Sequence, residues 1–173
     1  MNNLHEKPKI VITHRIDPSI ICMLEKTFHV AANQTDYTLD RSEIITRCRD
    51  AVGLMVFMPD SIDAEFLRQC PYLKTIAGAL RGYDNFDIDA CRDRGIKFTI
   101  VPDLLAQPTA ELALALVLAL GRRLLEGDDY IRSGKFHGWR PELYGIGVMK
   151  KKIGILGMGR LGRAFAKIIS GLE

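Results

Sequence analysis

Over roughly the first hundred residues, short apolar and β-branched runs alternate with stretches whose apolar positions recur every three or four residues. The short runs predict strands at Lys9–Thr13, His29–Ala32, Val52–Phe57, Lys74–Ala77 and Lys97–Val101. The stretches between them predict helices at Pro18–Lys26, Arg41–Arg49, Ala64–Cys70 and Ile88–Arg94. Asp17, Asp40 and Ser61 stand near three helix starts, where a side-chain oxygen accepts a hydrogen bond from an otherwise unpaired amide. Gly95 stands where the last of these helices should end. The runs at 52–57 and 97–101 are almost continuously apolar rather than alternating, as expected when helices cover both faces of a parallel sheet. The predicted class is therefore α/β, a flavodoxin-like doubly wound parallel sheet with right-handed crossovers. In such sheets ligands bind beyond the carboxyl ends of the strands.

The pattern changes from Pro108. Thr109 is placed to cap a helix, Glu111 suits its first turn, and Leu112–Leu120 is apolar all round. Such a helix should be buried on every side, so it reads as a long crossover helix between two α/β units, emerging at Arg122 and Arg123. Residues 133–147 hold four glycines, a proline and the only tryptophan, which predicts an irregular arm. A short apolar run, Ile153–Leu156, then leads into Gly157, Gly159 and Gly162 and a helical stretch from Arg163 to Ile169. This G-x-G-x-x-G spacing between a strand and a helix suits a dinucleotide pyrophosphate. The first glycine allows the tight turn, the second admits the phosphates to the backbone, and the third lets helix and strand pack closely. The expected organisation is a substrate domain over 1–108, a crossover helix and arm over 109–147, and the start of a Rossmann nucleotide-binding domain over 148–173.

Bulk composition narrows the function classes. A net charge of +3, with basic residues scattered among 21 acidic ones, is no nucleic-acid footprint. The longest apolar run has nine residues, against about 20 needed to span a bilayer. The polar stretch from Met1 to Lys9 is no secretory signal, so a cytoplasmic protein is expected. The four cysteines are widely spaced and the four histidines, His5, His14, His29 and His137, form no ligand pattern, so no metal is expected. His14, directly after the first strand, is the best placed of them, though a turn histidine is the simpler reading.

The turn Gly78–Asn85 follows a strand and therefore lies at the ligand edge. Arg81 is its one cation, and a guanidinium beside the Arg81 and Gly82 amides would suit a small oxyanion; a surface arginine in a turn is the alternative. Asp84 and Asn85 read as turn formers. Met58, in the matching loop after another strand, would either wall a pocket or pack beneath the loop.

Taken in order, Gly82-Tyr-Asp-Asn85, Pro108-Thr-Ala-Glu111 and Gly154-Ile-Leu-Gly-Met-Gly-Arg-Leu-Gly162 resemble the D-isomer-specific 2-hydroxyacid dehydrogenase family. Finer details, among them Phe57-Met-Pro-Asp60 and Gly138-Trp139 with Tyr144-Gly145, are similar to its phosphite-oxidising members. The resemblance implies a homodimer of two-domain subunits that use NAD, with the active site in the cleft between domains. By position it makes Arg81 a catalytic and substrate-binding cation, where the phosphite-oxidising members carry lysine. It places Met58, Gly82, Trp139 and Tyr144 at the substrate, and Thr109, Gly157, Gly159, Arg160, Leu161 and Gly162 at the cofactor. It further implies that these 173 residues are the N-terminal portion of such an enzyme, without turnover of their own. The alternatives are another 2-hydroxyacid dehydrogenase of the glyoxylate or hydroxypyruvate reductase type, or a non-catalytic dimerising module.

Overall fold

The computed structural model describes residues 7–102 and 104–172; Met1, His5, Asp103 and Glu173 lie outside the described residues. The chain divides into two compact units, Met1–Pro102 and Asp103–Glu173.

The first unit alternates strand and helix throughout: β1 (Lys9–Ile12), α1 (Pro18–Leu24), β2 (His29–Ala32), α2 (Arg41–Cys48), β3 (Gly53–Val56), α3 (Ala64–Gln69), β4 (Thr75–Gly78), α4 (Ile88–Asp93) and β5 (Lys97–Thr99). All strands are parallel, in the order β2-β1-β3-β4-β5, with Val11 facing Leu54 and Leu54 facing Ile76 across the ladder. This is the doubly wound order expected from the sequence. Its topological switch point lies between β1 and β3, where the connections leaving the two strands run to opposite sides.

The core follows from the two periodicities. Leu54, Val56 and Ile76 share a buried cluster with Ile44, Ile45 and Cys48 of α2, Phe66 and Leu67 of α3 and Cys91 of α4. Phe66 is fully buried there, so truncating it to alanine would cost about 3–5 kcal/mol. Cys48 and Cys70 meet in the same cluster, and the hydrogen bond between them, with burial second, pushes the Cys48 thiol well up.

Asp17 and Asp40 cap α1 and α2 by accepting from Ser19 N–H and Glu43 N–H. The cap of α3, however, is Asp63 rather than Ser61: its carboxylate accepts from Phe66 N–H at 2.8 Å. Ser61 instead leads into Ile62, which bridges to Phe86 and ties the chain down before the helix begins. Gly95 ends α4 at φ +67°, a backbone conformation that favours glycine.

The second unit contains α5 (Ala106–Gly121), α6 (Leu124–Arg132) and α7 (Arg160–Ile169), with α5 packed on α7. Three expectations change here. Thr109 is not a cap: α5 starts three residues earlier, and the Thr109 hydroxyl donates back to Leu105 C=O at 2.6 Å. The apolar helix is not buried on all sides. Ala110 is buried, but Leu112, Leu116 and Leu120 stay 59%, 55% and 79% exposed in one row, because no described residue packs over that face. Ile153–Leu156 pairs with no strand, since no described residue offers a ladder partner.

The arm over 133–147 is irregular, as its glycines suggest. It is fastened to the end of α5: Ile146 N–H donates to Gly121 C=O at 2.6 Å, and a Cβ on Gly145 would stand 2.3 Å from the same oxygen.

Candidate functional site

The residues directly after β1 and β3 meet at the switch point in a buried polar cluster. Thr13 closes β1 and is fully buried. Its hydroxyl donates to Asp60 Oδ2 at 2.6 Å, and Phe57 N–H donates to the same oxygen at 2.7 Å. Asp60 is 3% exposed. Its other oxygen faces His14 Nε2 at 3.4 Å, close enough for an ion pair but not aligned as a hydrogen bond, and both atoms are sealed from solvent. The His14 ring leans on Phe57, with centroids 5.2 Å apart. Asn33, also buried, donates to Thr13 C=O at 3.1 Å and Tyr37 C=O at 2.7 Å, closing the β2 side.

The loop after β3 carries Met58, which is 60% exposed and so is not packing beneath its own loop. The turn after β4 carries Arg81 and Gly82, both exposed. Among the described residues neither amide of this exposed pair meets a backbone acceptor, leaving two adjacent N–H donors at the carboxyl end of β4. Arg81 Nε donates to Pro102 C=O at 3.1 Å, which anchors the base of the guanidinium. Asn85 links the two loops: its Nδ2 donates to Met58 C=O at 3.1 Å and, at shorter range, to Asp60 C=O. The structure thus brings Met58, Arg81 and Gly82 to one edge of the sheet.

Sequence reasoning missed Asp60, Thr13 and the strap formed by Asn85. The available signal was positional: a polar residue at the end of an apolar run, and an aspartate three residues past Phe57.

In the second unit the glycine loop takes a shape only glycine allows. Gly157 has φ +97°, and a Cβ on Gly162 would lie 2.0 Å from Gly157 C=O. Gly159 is the residue before α7, and having no side chain it makes no cap hydrogen bond. Apart from its chain neighbours, no described residue comes within 4 Å of where its Cβ would be. Arg160 and Leu161 form the first turn of α7, at the positive end of its helix dipole. These features fit a dinucleotide pyrophosphate. Thr109 lies in the first turns of α5. Trp139 and Tyr144 sit on the arm, 78% and 74% exposed.

The model of the D-isomer specific 2-hydroxyacid dehydrogenase catalytic domain matches residues 10–167. The chain belongs to the D-isomer-specific 2-hydroxyacid dehydrogenase family. Among curated proteins it is 38% identical over 170 residues to a glyoxylate reductase of Thermococcus litoralis, covering 95% of this chain and 51% of that protein. A glyoxylate reductase of Pyrococcus horikoshii is 37% identical over 172 residues, with 96% and 52% covered. The chain thus spans about half the length of the curated relatives it matches.

Among solved structures, a putative D-isomer specific 2-hydroxyacid dehydrogenase, NAD-binding, from Polaromonas superposes with TM-score 0.88 at 40% identity, covering 96% of this chain and 53% of that one. An NADPH-dependent glyoxylate/hydroxypyruvate reductase from Sinorhizobium meliloti, solved with NADP and malonate, gives 0.76 at 26%, with 95% and 50% covered. By name, the Thermococcus, Pyrococcus and Sinorhizobium relatives are glyoxylate or glyoxylate/hydroxypyruvate reductases, not phosphite-oxidising enzymes. No helix among the described residues is long and apolar enough to cross a membrane.

Proposed function

We propose that this chain forms the substrate-side unit and the pyrophosphate loop of a cytoplasmic, homodimeric dehydrogenase that reduces small 2-oxo acids of the glyoxylate or hydroxypyruvate type with NADH. The observation that supports the reading is the exposed pair of amides at Arg81 and Gly82, which have no backbone acceptor among the described residues, at the carboxyl end of β4. Two adjacent N–H donors hold a carboxylate through its two oxygens, and the neighbouring guanidinium adds charge. Met58 walls the site from the next loop. Trp139 and Tyr144, large amphipathic groups on an anchored arm, suit a substrate-facing or subunit-facing role. The bound nicotinamide supplies the hydride. The chain's own part is to fix the acid group and to seat the pyrophosphate on the amides of Arg160 and Leu161, with Gly157, Gly159 and Gly162 clearing the approach. Thr109 is assigned to the nicotinamide end on the family resemblance. The exposed row Leu112, Leu116 and Leu120 supports a second copy as the partner.

Phosphite oxidation is retained as a second reading because of Arg81. Its Nη atoms meet no acceptor among the described residues, and a planar fork beside two amides also suits a tetrahedral oxyanion. The test follows nicotinamide absorbance on the protein at its native length, with glyoxylate and hydroxypyruvate on one side and phosphite with NAD on the other. Reduction of the oxo acids is expected. Arg81→Ala should lower phosphite-dependent turnover far more than oxo acid reduction; equal losses would remove the argument for phosphite. Absence of oxo acid reduction by the native protein would overturn the main reading.

A further inference from the structure

We propose that Asp60 is a positioning residue that sets the spacing of the two substrate-facing loops, with Asn85 as its strap and the His14 ring beside its second oxygen. The inference rests on the reading above in taking Met58, Arg81 and Gly82 as the substrate-facing groups.

Asp60 sits at the point where three chain segments must be held in register. One carboxylate oxygen takes two donors from different strands, Thr13 Oγ1 at the end of β1 and Phe57 N–H at the end of β3. That pins the base of the Met58 loop across the switch point. The backbone of the same loop, at Met58 and Asp60, accepts both donors of Asn85 Nδ2, which fastens it to the turn following Arg81 and Gly82. The attachment continues as a backbone bridge, with Ile62 N–H donating to Asn85 C=O at 3.3 Å and Asp87 N–H to Ile62 C=O at 2.8 Å. The loops are therefore tied to each other rather than only to their own strands.

The cost of this arrangement is visible in the structure. A carboxylate only 3% exposed keeps one oxygen without a hydrogen bond, facing an imidazole nitrogen in the same state. Sealed polar atoms of this kind are uncommon and call for a reason. An apolar residue could fill the space, but it could not receive Thr13 and Phe57 at one atom. The groups above this buried knot are the exposed ones: Met58 on one loop, Arg81 and Gly82 on the other. Fixed loops beneath exposed side chains are what a site needs if two amides are to meet a carboxylate without reorganising.

The roles separate by substitution. Asp60→Asn keeps an oxygen for Thr13 and Phe57 and turns an amide N–H₂ towards His14 Nε2, so position is preserved while charge is removed. Asp60→Ala removes both. In steady-state kinetics with glyoxylate on the native-length protein, Asp60→Ala should raise KM about tenfold or more with kcat changed by less than about threefold. Asp60→Asn should return KM to within about threefold of the parent. An Asn variant as impaired as the Ala variant would show that charge, not position, is what matters, and would overturn the proposal; so would an unchanged KM in Asp60→Ala.

If Asp60→Ala does not fold, Asn85→Ala carries the same test, because the strap lies outside the buried carboxylate contacts. Amide hydrogen exchange keeps the proposal separate from the substrate reading. Asn85→Ala should speed exchange at Phe57 and Asp60, and Asp60→Ala should speed it over 81–87. That mutual loosening holds whether or not oxo acids are reduced. If each loop loosens only locally, the proposal fails even with oxo acid reduction intact.

Discussion

Replacing Gly162 with alanine tests whether the glycine loop is shaped by backbone contact rather than by flexibility. The added Cβ would lie 2.0 Å from Gly157 C=O and 3.1 Å from its carbonyl carbon, where ordinary contact begins near 3.4 Å. Helix and loop would have to part by roughly 1.4 Å, the difference of those two figures. Neither side yields easily. The atom being struck is backbone, Gly157 is already held at φ +97°, and Gly162 and Phe165 of α7 are buried. Overpacking of this kind costs about 1–3 kcal/mol, and the rigid partner points to the upper end. Helix propensity works the other way, favouring alanine over glycine by about 1 kcal/mol. The net expected loss is about 2 kcal/mol, or about 10 °C in Tm for a unit of this size.

Differential scanning calorimetry, with hydrogen exchange over 157–170 to localise the change, measures it. The control is Gly159→Ala, where φ is −69° and, apart from its chain neighbours, no described residue comes within 4 Å of the new Cβ. It should lose at most about 1 kcal/mol, as alanine caps a helix less well than glycine, yet weaken NADH binding in calorimetric titration about tenfold. A Gly162→Ala protein that unfolds at the parent temperature would refute the close-packing argument. So would a Gly159→Ala protein that proves the less stable of the two.

Two further outcomes test other parts of the molecule. Leu116→Asp, on the exposed row of α5, should leave the unfolding midpoint within about 0.5 kcal/mol of the parent while converting a sedimenting dimer to monomer; an unaltered sedimentation coefficient would exclude that face from the proposed dimer contact. Asp63, capping α3, has its carboxyl held below the usual 3.8, first by the hydrogen bond from Phe66 N–H and then by Arg41. Because the folded value lies below the unfolded one, its stabilisation is complete above about pH 4 and is lost as pH falls through the lowered value. Asp63→Ala should therefore cost about 1 kcal/mol in urea unfolding at pH 7, and the gap to the parent should narrow as pH falls through the lowered value. A gap that does not narrow would assign the effect to something other than the ionised cap.

The parts legible in the sequence were those decided locally, and the parts that were not were decided by neighbours distant along the chain. The strands and helices of the first unit follow from apolar period, capping aspartates and Gly95, all within a few residues of what they control. Ser61 and Thr109 show the limit. Each has the right chemistry for a cap, but the Ile62–Phe86 bridge separates Ser61 from the helix, leaving the cap to Asp63, and Leu105 begins the other helix early. Leu112–Leu120 reads as buried because a periodicity argument counts apolar faces and not the surfaces available to cover them. The short helix α6 was overlooked because Gly127 interrupts its pattern, although Arg123 pairs with Glu126 and Arg132 with Asp128 along its exposed side.

The candidate site divides in the same way. Arg81, Gly82, Met58 and the glycine loop were visible because each follows a recognisable run. Asp60 was not, since its role arises only when parallel pairing puts β1 beside β3 and so sets Thr13 against Phe57 and Asp60. Residues offered as ligand contacts are read from their type and their position after a strand. Residues that hold those residues in place are defined by contacts across strands, and the sheet order must be known before they can be found.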